Sequence, residues 1–253
     1  MKKVLALLMA IAMIAACFTG CNKAKSDLNT VVDGTLTMGT NATFPPYEFT
    51  DDSGKIVGID AEIAAAVAEK LGLKLVIKDM EFDSLIPAVK GGSIDIALAG
   101  MTVTEERKNS VDFSDTYAQG VQVVIVPEGS KIASIDDLEG KKIGVQTGTT
   151  GDIYCTDDFG QENVKQYNNG ALAIAGLKNK QVDCVVIDNE PAKAFVKANT
   201  GLKILDTEYA VEDYAAAISK ENPELTEAIN KALAELKEAG KIDEIIGKYI
   251  KAE

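Results

Sequence analysis

At 253 residues and 46% hydrophobic content, the chain is long enough to bury a core, in one large domain or in two lobes of about a hundred residues each. A formal net charge of −13 with no histidine and no tryptophan excludes a nucleic-acid partner, because no basic stripe is present to neutralise phosphates. The missing histidine removes the commonest metal ligand and the commonest neutral-pH general base, so neither a metal nor a cofactor is expected.

The N-terminus reads as a targeting segment. A basic "MKK" precedes the apolar run "VLALLMAIAMIAA", too short for a membrane span and right for a signal-peptide core. The following "CFTGC" resembles the lipobox of bacterial lipoproteins, with Cys17 and Cys21 as competing acceptors. Cys21 is preferred, because the polar "NKAKSDLNT" starts directly after it and reads as a tether; a secretory signal without lipid is the alternative. The expectation is a signal peptide over 1–20, a tether over 21–32, and a protein exported and lipid-anchored on the outer face of the cell membrane. Loss of Lys2 and Lys3 leaves the remainder more acidic still, so lipid rather than charge would hold it at an anionic surface.

From Thr35 onward, strand-like runs alternate with helix-length amphipathic stretches, the pattern of an α/β fold with mostly parallel sheet. The strands are "LTMGT", "KLVIK", "IDIALA", "VQVVIV", "KIGVQ", "DCVVID" and "YAAAIS". "GIDAEIAAAVAEKLG" reads as a helix with Asp60 as N-cap, Ile59, Ile63 and Val67 on one face, and Gly72 as its stop. "ENPELTEAINKALAELKEAG" has Asn222 as N-cap, Pro223 at the first helical position and Gly240 beyond the end. "AVKGGSIDIALAG" and "GLKNKQVDCVVID" align without a gap. Each is a helix end, a turn and an apolar strand, and together they suggest two similar lobes. Two body cysteines, Cys155 and Cys184, make no disulfide framework, and Cys184 in an apolar strand suits a buried thiol.

Ligands of open α/β sheets gather at the carboxyl ends of strands, and four such ends carry chemistry. "GTNATFPPYEF" supplies Asn41 and Phe44; "ALAGMTVTEER" supplies Ala99, Gly100, Thr102 and Arg107; "GVQTGTTGD" supplies Gln146, Thr149 and Thr150; "VVIDN" ends on Asp188. Each has a plainer reading. Phe44 suits a core, Thr149 could cap the next helix, Asp188 could cap the helix entered at Pro191, and Arg107 in "TEERK" could belong to a solvated charge run. Arg107 is nevertheless the sole arginine beside 25 lysines. A guanidinium offers a rigid fork for two parallel bonds to a carboxylate, which an ammonium cannot.

With these residues in place, "TFPPYEF", "VGIDAEIAAAVAEKLG", "FDSLIPAVKGGSIDIALAGMTVTEERKNSVDFSDTY", "DLEGKKIGVQTGTTG" and "INKALAELKEAGKIDEIIGKYI" together resemble the polar amino-acid-binding family of bacterial extracellular solute-binding proteins, family 3, the receptors of ABC importers. Ala61 departs from the family pattern, where a larger aliphatic is usual, which touches packing rather than binding. The resemblance implies the type II periplasmic-binding-protein fold: two α/β lobes, each a mostly parallel sheet flanked by helices, joined by a two-strand hinge near 120–124 and 213–217. Lobe 1 would comprise 33–120 and 215–253, and lobe 2 would comprise 121–214.

By position, the resemblance implies that Arg107, with the amide of Thr102 and with Thr150, holds a ligand α-carboxylate. Asp188 would take the α-ammonium, helped by Gly100 and Thr102. Phe44 and Phe82 would sandwich the side chain, and Asn41 and Gln146 would meet its tip. Members that prefer basic ligands often place an acid where this chain has Asn41. A neutral polar ligand such as glutamine or cystine is therefore preferred over a basic one, with Asp152 or Glu48 as acids that could compensate. The implied partners are the ABC permease and ATPase, and the implied state is a monomer. Two rival functions stay open at this point: a sensor ectodomain without transport, and a dehydratase-like enzyme on the same scaffold.

Overall fold

Two βαβαβ units with the same wiring organise the chain. The computed structural model describes residues 28–251; the candidate acceptors Cys17 and Cys21 lie outside the described residues. The first unit runs through β1 (Thr35–Thr40), a small antiparallel flap of β2 (Thr43–Phe44), β3 (Glu48–Thr50) and β4 (Ile56–Val57), then α1 (Ile59–Leu71), β5 (Lys74–Asp79), α2 (Leu85–Lys90) and β6 (Ile96–Ala97). After α3 (Glu105–Lys108), β7 (Asp112–Phe113) and the long β8 (Ala118–Pro127), the second unit follows. It comprises β9 (Ile143–Gln146), α4 (Thr150–Phe159), β10 (Val164–Tyr167), α5 (Gly170–Lys178) and β11 (Cys184–Asp188). In each unit the first strand lies between the second and the third, all parallel: β5-β1-β6 and β10-β9-β11. The aligned segments seen in the sequence are the third strands of the two units with the helices that precede them.

The remaining elements are α6 (Asn189–Ala198), β12 (Leu202–Ile204), β13 (Ala210–Tyr214), β14 (Ala217–Ile218), α7 (Pro223–Glu238) and α8 (Lys241–Tyr249). Antiparallel strands extend both parallel cores on the side facing the crossings. β14 and then β7 join β6, while β8 joins β11 and carries β12 and β13 on its far edge. The chain thus passes from the first sheet to the second between β7 and β8 and returns between β13 and β14. Helices α7 and α8 close the first lobe against α1, with Lys70–Glu235 (2.9 Å) and Lys248–Glu62 (2.6 Å) at the rim.

Strand alternation explains why both sheets are sandwiched. In β8, Val123 and Ile125 enter one apolar cluster while Val124 and Val126 enter another, the two-faced burial expected of strands covered on both sides. Cys155 and Cys184 are free thiols in the second cluster, and burial raises both pKa values, that of Cys184 to about 12.

Asn222 caps α7 by accepting from the Leu225 amide (3.3 Å), with Pro223 opening the helix. The expected cap at Asp60 is wrong. Helix α1 starts two residues earlier than that cap requires, its N-cap is Gly58 at φ 125, and Asp60 lies inside the first turn, fully buried. The strand expected over 94–99 is regular only at Ile96–Ala97, although Asp95 and Leu98 continue the bonding to β1 through Thr37 and Gly39. "YAAAIS" divides into the end of β13 and the two residues of β14.

Candidate ligand-binding cleft

The repeated wiring aims the carboxyl ends of both sheets at a common gap, the position where open α/β sheets bind ligands. A narrow cavity lies there, with room for about one water molecule. It is lined by all eleven residues expected from the sequence and by one more, Glu48. Corresponding positions of the two units meet across it. Asn41 follows β1 and Gln146 ends β9, and the Gln146 amide donates to Asn41 Oδ1 at 2.9 Å, while the Asn41 amide donates to the Met80 carbonyl at 3.0 Å. The third strands lead to Ala99–Gly100–Thr102 on one wall and to Asp188 on the other.

Arg107 stands in the one-turn helix α3, started by Thr104, whose hydroxyl accepts from the Arg107 amide (3.1 Å). The residue is 7% exposed. Nη1 donates to the Thr102 carbonyl at 2.7 Å, Nη2 donates across the gap to the Gly148 carbonyl at 3.1 Å, and Cζ sits 5.4 Å from the centre of the Phe82 ring. Burial lowers its pKa, opposed by the charges of Glu212 and Asp188, yet among the described residues no carboxylate pairs with it. The solvated-run reading holds for its neighbours instead: Glu105 and Lys108 are exposed and pair with each other at 2.8 Å.

Asp188 occupies the N-cap position of α6, but its side chain makes no capping bond. The carboxylate accepts from the Tyr214 hydroxyl. Burial first, then the charge of Glu212, pushes its pKa up to about 7, with hydrogen bonds from Tyr214 and Gln122 acting the other way. No lysine or arginine among the described residues pairs with it.

Glycines make two close approaches possible. A Cβ on Gly120 would stand 2.0 Å from the Tyr214 hydroxyl, so only glycine lets this ring cross β8 to reach Asp188. Gly100 has φ +51, and a Cβ there would stand 2.9 Å from the Phe44 ring; that ring is held from behind by Tyr47, with centroids 6.0 Å apart. On the second wall, Thr149 caps α4 by accepting from the Asp152 amide (3.3 Å) and donates to the Gln146 carbonyl (2.8 Å). Thr150, buried at the first turn, accepts from Gln122 Nε2 at 3.4 Å.

Sequence reasoning missed Gln122, Glu212 and Tyr214 as supports of the site and misassigned Asp60. Glu212 of β13 accepts from Thr102 Oγ1 and from Gln122 Nε2, both at 3.0 Å, and so ties the first wall to β8. Glu48 is named in the sequence only as a compensating acid, together with Asp152. Asp152 is occupied, accepting from the Gly148 amide (2.9 Å) and Gln166 Nε2 (2.7 Å), and it does not line the cavity. Glu48 lines it but is fully buried and turned to Asp60. The legible signal for Glu48, Asp60 and Glu212 was an acid set inside an apolar run.

The family model for bacterial extracellular solute-binding proteins, family 3, matches residues 36–252. A "Probable histidine-binding protein" of Neisseria gonorrhoeae is 36% identical over 85% of this chain and 83% of its own length. The "Arginine-binding extracellular protein ArtP" of Bacillus subtilis (strain 168) is 34% identical over 100% of both. A solved structure, "An ancestral arginine-binding protein bound to glutamine", superposes with a TM-score of 0.83 at 46% identity, covering 87% of this chain and 100% of that one.

Proposed function

The chain belongs to the bacterial extracellular solute-binding proteins, family 3, and from that premise we propose that it captures a polar amino acid between two closing lobes and delivers it to an ABC permease and its ATPase. The family and the named relatives are binding proteins rather than enzymes, and the fold is their two-lobed fold. One observation carries the reading. A single cavity has on one side a buried guanidinium without an anion and on the other a buried carboxylate without a cation. Unpaired buried charges are expensive, and a zwitterionic α-amino acid offsets both at once.

In this reading Arg107, with the amides of Thr102 and Thr150, takes the α-carboxylate; Asp188, with Gly100 and Thr102, takes the α-ammonium. Phe44 and Phe82 flank the side chain, Ala99 and Thr149 complete the walls, and Asn41 and Gln146 meet the tip. The tip amides are neutral, and neither Asp152 nor Glu48 offers it a free carboxylate. That favours a neutral polar side chain, such as glutamine or cystine, over a cationic one. The bodies that close are 33–120 with 215–253, and 121–214, turning about the two crossings. Closure is driven only by contacts made in the closed state; here a ligand would add to the existing Arg107–Gly148 and Gln146–Asn41 links.

The protein is exported. Among the described residues no helix is long and apolar enough to cross a membrane, and we assign anchoring to a lipid on Cys21. It acts as a monomer. The test is a thermal-shift screen of residues 21–253 against the twenty amino acids and cystine. A ligand that binds only the folded form raises the melting temperature with saturation; a shift with polar amino acids is expected, and no shift with any of them would overturn the assignment.

A further inference from the structure

Behind the wall at Gly100, two acids are buried against one another. Glu48 on β3 and Asp60 in the first turn of α1 are both 0% exposed. Asp60 Oδ2 accepts from the Gly100 amide and from the Tyr117 hydroxyl, each at 2.8 Å. No hydrogen-bond donor reaches Asp60 Oδ1 or either oxygen of Glu48, and the two carboxyl groups lie close enough to act on one another. Two ionised carboxylates in that position would repel one another through oxygens that no donor reaches, whereas one proton between them relieves the repulsion.

Among the described residues, the charges that act on Glu48 and on the neighbouring Tyr47 and Tyr117 hydroxyls come from acids, Asp60, Asp188 and Glu190. Burial, then the charge of Asp60, holds Glu48 protonated well above the ordinary carboxylate range, while Asp60, supported by Gly100, Tyr117 and Glu48, stays nearer to it at about 6. Asp60, whose Oδ2 accepts from two donors, is the better place for the charge, and Glu48, which accepts from none, is the better place for the proton.

We propose that Glu48 and Asp60 share this single buried proton and that the pair is the positioning element of the ammonium end of the cleft, Glu48 as donor and Asp60 as charged acceptor for the Gly100 amide. The peptide that Asp60 holds is the one joining Ala99 to Gly100, both of which line the cavity. In a planar trans peptide the carbonyl points opposite to the N–H, so the Ala99 carbonyl faces away from Asp60. A carboxylate on the N–H side polarises that carbonyl as an acceptor. Glu48 and Asp60 thus act through the peptide and on its electrostatics; neither needs to touch the ligand. The role assigned to the ammonium end rests on the function proposed above, whereas the shared proton does not.

The test has two readouts. At pH 8.5, with Asp188 ionised, the infrared spectrum of the ligand-free protein should contain the carbonyl stretch of a protonated carboxylic acid, and Glu48→Gln should remove it while Asp188→Asn should leave it. Absence of the band from the unmodified protein, or its survival in Glu48→Gln, would overturn the shared proton whether or not any amino acid binds. For the positioning role, an amino acid identified by the thermal-shift screen is titrated across pH. Glu48→Ala strips Asp60 of its donor, so affinity should fall about tenfold or more and the midpoint of affinity against pH should move upward. Glu48→Gln, which restores an N–H donor, should recover most of the affinity and the original midpoint. Equal losses in the two variants, or a midpoint that moves in neither, would overturn the role.

Discussion

The two lobes share a wiring and divide the chemistry between them. Each presents the ends of a first and a third strand to the gap, and at the first-strand ends the two make the same choice, a neutral amide: Asn41 in one and Gln146 in the other, hydrogen-bonded to each other. At the third-strand ends they differ. In the second lobe β11 runs straight into α6 and leaves Asp188 at the junction. In the first the chain bends at Gly100, continues through Thr102 and places a cation, Arg107, seven residues beyond the bend. The repeat therefore builds the gap, and the asymmetry of its loops gives that gap two electrical poles. A symmetric pair of lobes would offer two like poles and no preference for a zwitterion.

The largest effect should come from removing the pole of the first lobe. Arg107→Ala leaves a ligand carboxylate buried without a partner, and the expected loss is about 2–5 kcal/mol of binding, read by calorimetry; the ligand-free protein should remain folded, since the guanidinium makes only two backbone hydrogen bonds. Removing the other pole should cost somewhat less: Asp188→Asn keeps an acceptor but loses the charge, for about 2–3 kcal/mol of binding.

Asp188 also gives the comparison a pH axis. Its carboxyl releases its proton near pH 7 in the folded chain and near the ordinary 3.8 when unfolded. The raised value means that this group favours the fold at low pH, and that on the order of 4 kcal/mol of that contribution is lost as pH rises from about 4 to 7. In the proposed clamp the ionised form is the one that takes the ammonium, so affinity should fall as pH drops below about 7, by up to about tenfold per unit. Titrations between pH 5.5 and 8 check this, and Asp188→Asn should remove the step near pH 7 and leave the lower one expected of Asp60 near 6. A profile unchanged in that variant would break the assignment of the second pole.

Smaller effects should sharpen the parts that serve both lobes. Gly120→Ala drives a methyl into the Tyr214 hydroxyl and should destabilise by about 1–3 kcal/mol, seen in thermal melts, while weakening binding through the displaced partner of Asp188. Asn41→Asp puts a charge at the tip and should shift the preference between arginine and glutamine by about 1 kcal/mol toward arginine, measured by competition.

What was legible in the sequence follows from where each signal resides. Strand alternation, the cap at Asn222 and the echo between the third strands are local, and they gave the order of elements and the two-unit repeat. Arg107 was legible by scarcity against 25 lysines, and Asp188 by its place at the end of an apolar strand. Asp60 was misassigned because a helix-start aspartate has a strong local explanation, capping, whereas its partners are the Gly100 amide and the Tyr117 hydroxyl, distant in the chain. Tyr214 was read only as part of a crossing strand, and Glu212 was not singled out. Their roles arise from β13 pairing with β8, which brings Tyr214 over Gly120 and Glu212 beside Gln122, and no window of sequence contains that pairing.

The division of poles is tested most directly on the ligand rather than on the protein. The amino acid that gives the largest thermal shift is titrated calorimetrically beside two analogues, its α-amide, which has lost the carboxylate charge, and its des-amino acid, which has lost the ammonium. A two-pole clamp predicts that each analogue binds at least about thirtyfold more weakly than the parent, from about 2 kcal/mol or more at either end. Affinity for either analogue equal to that for the parent would contradict it.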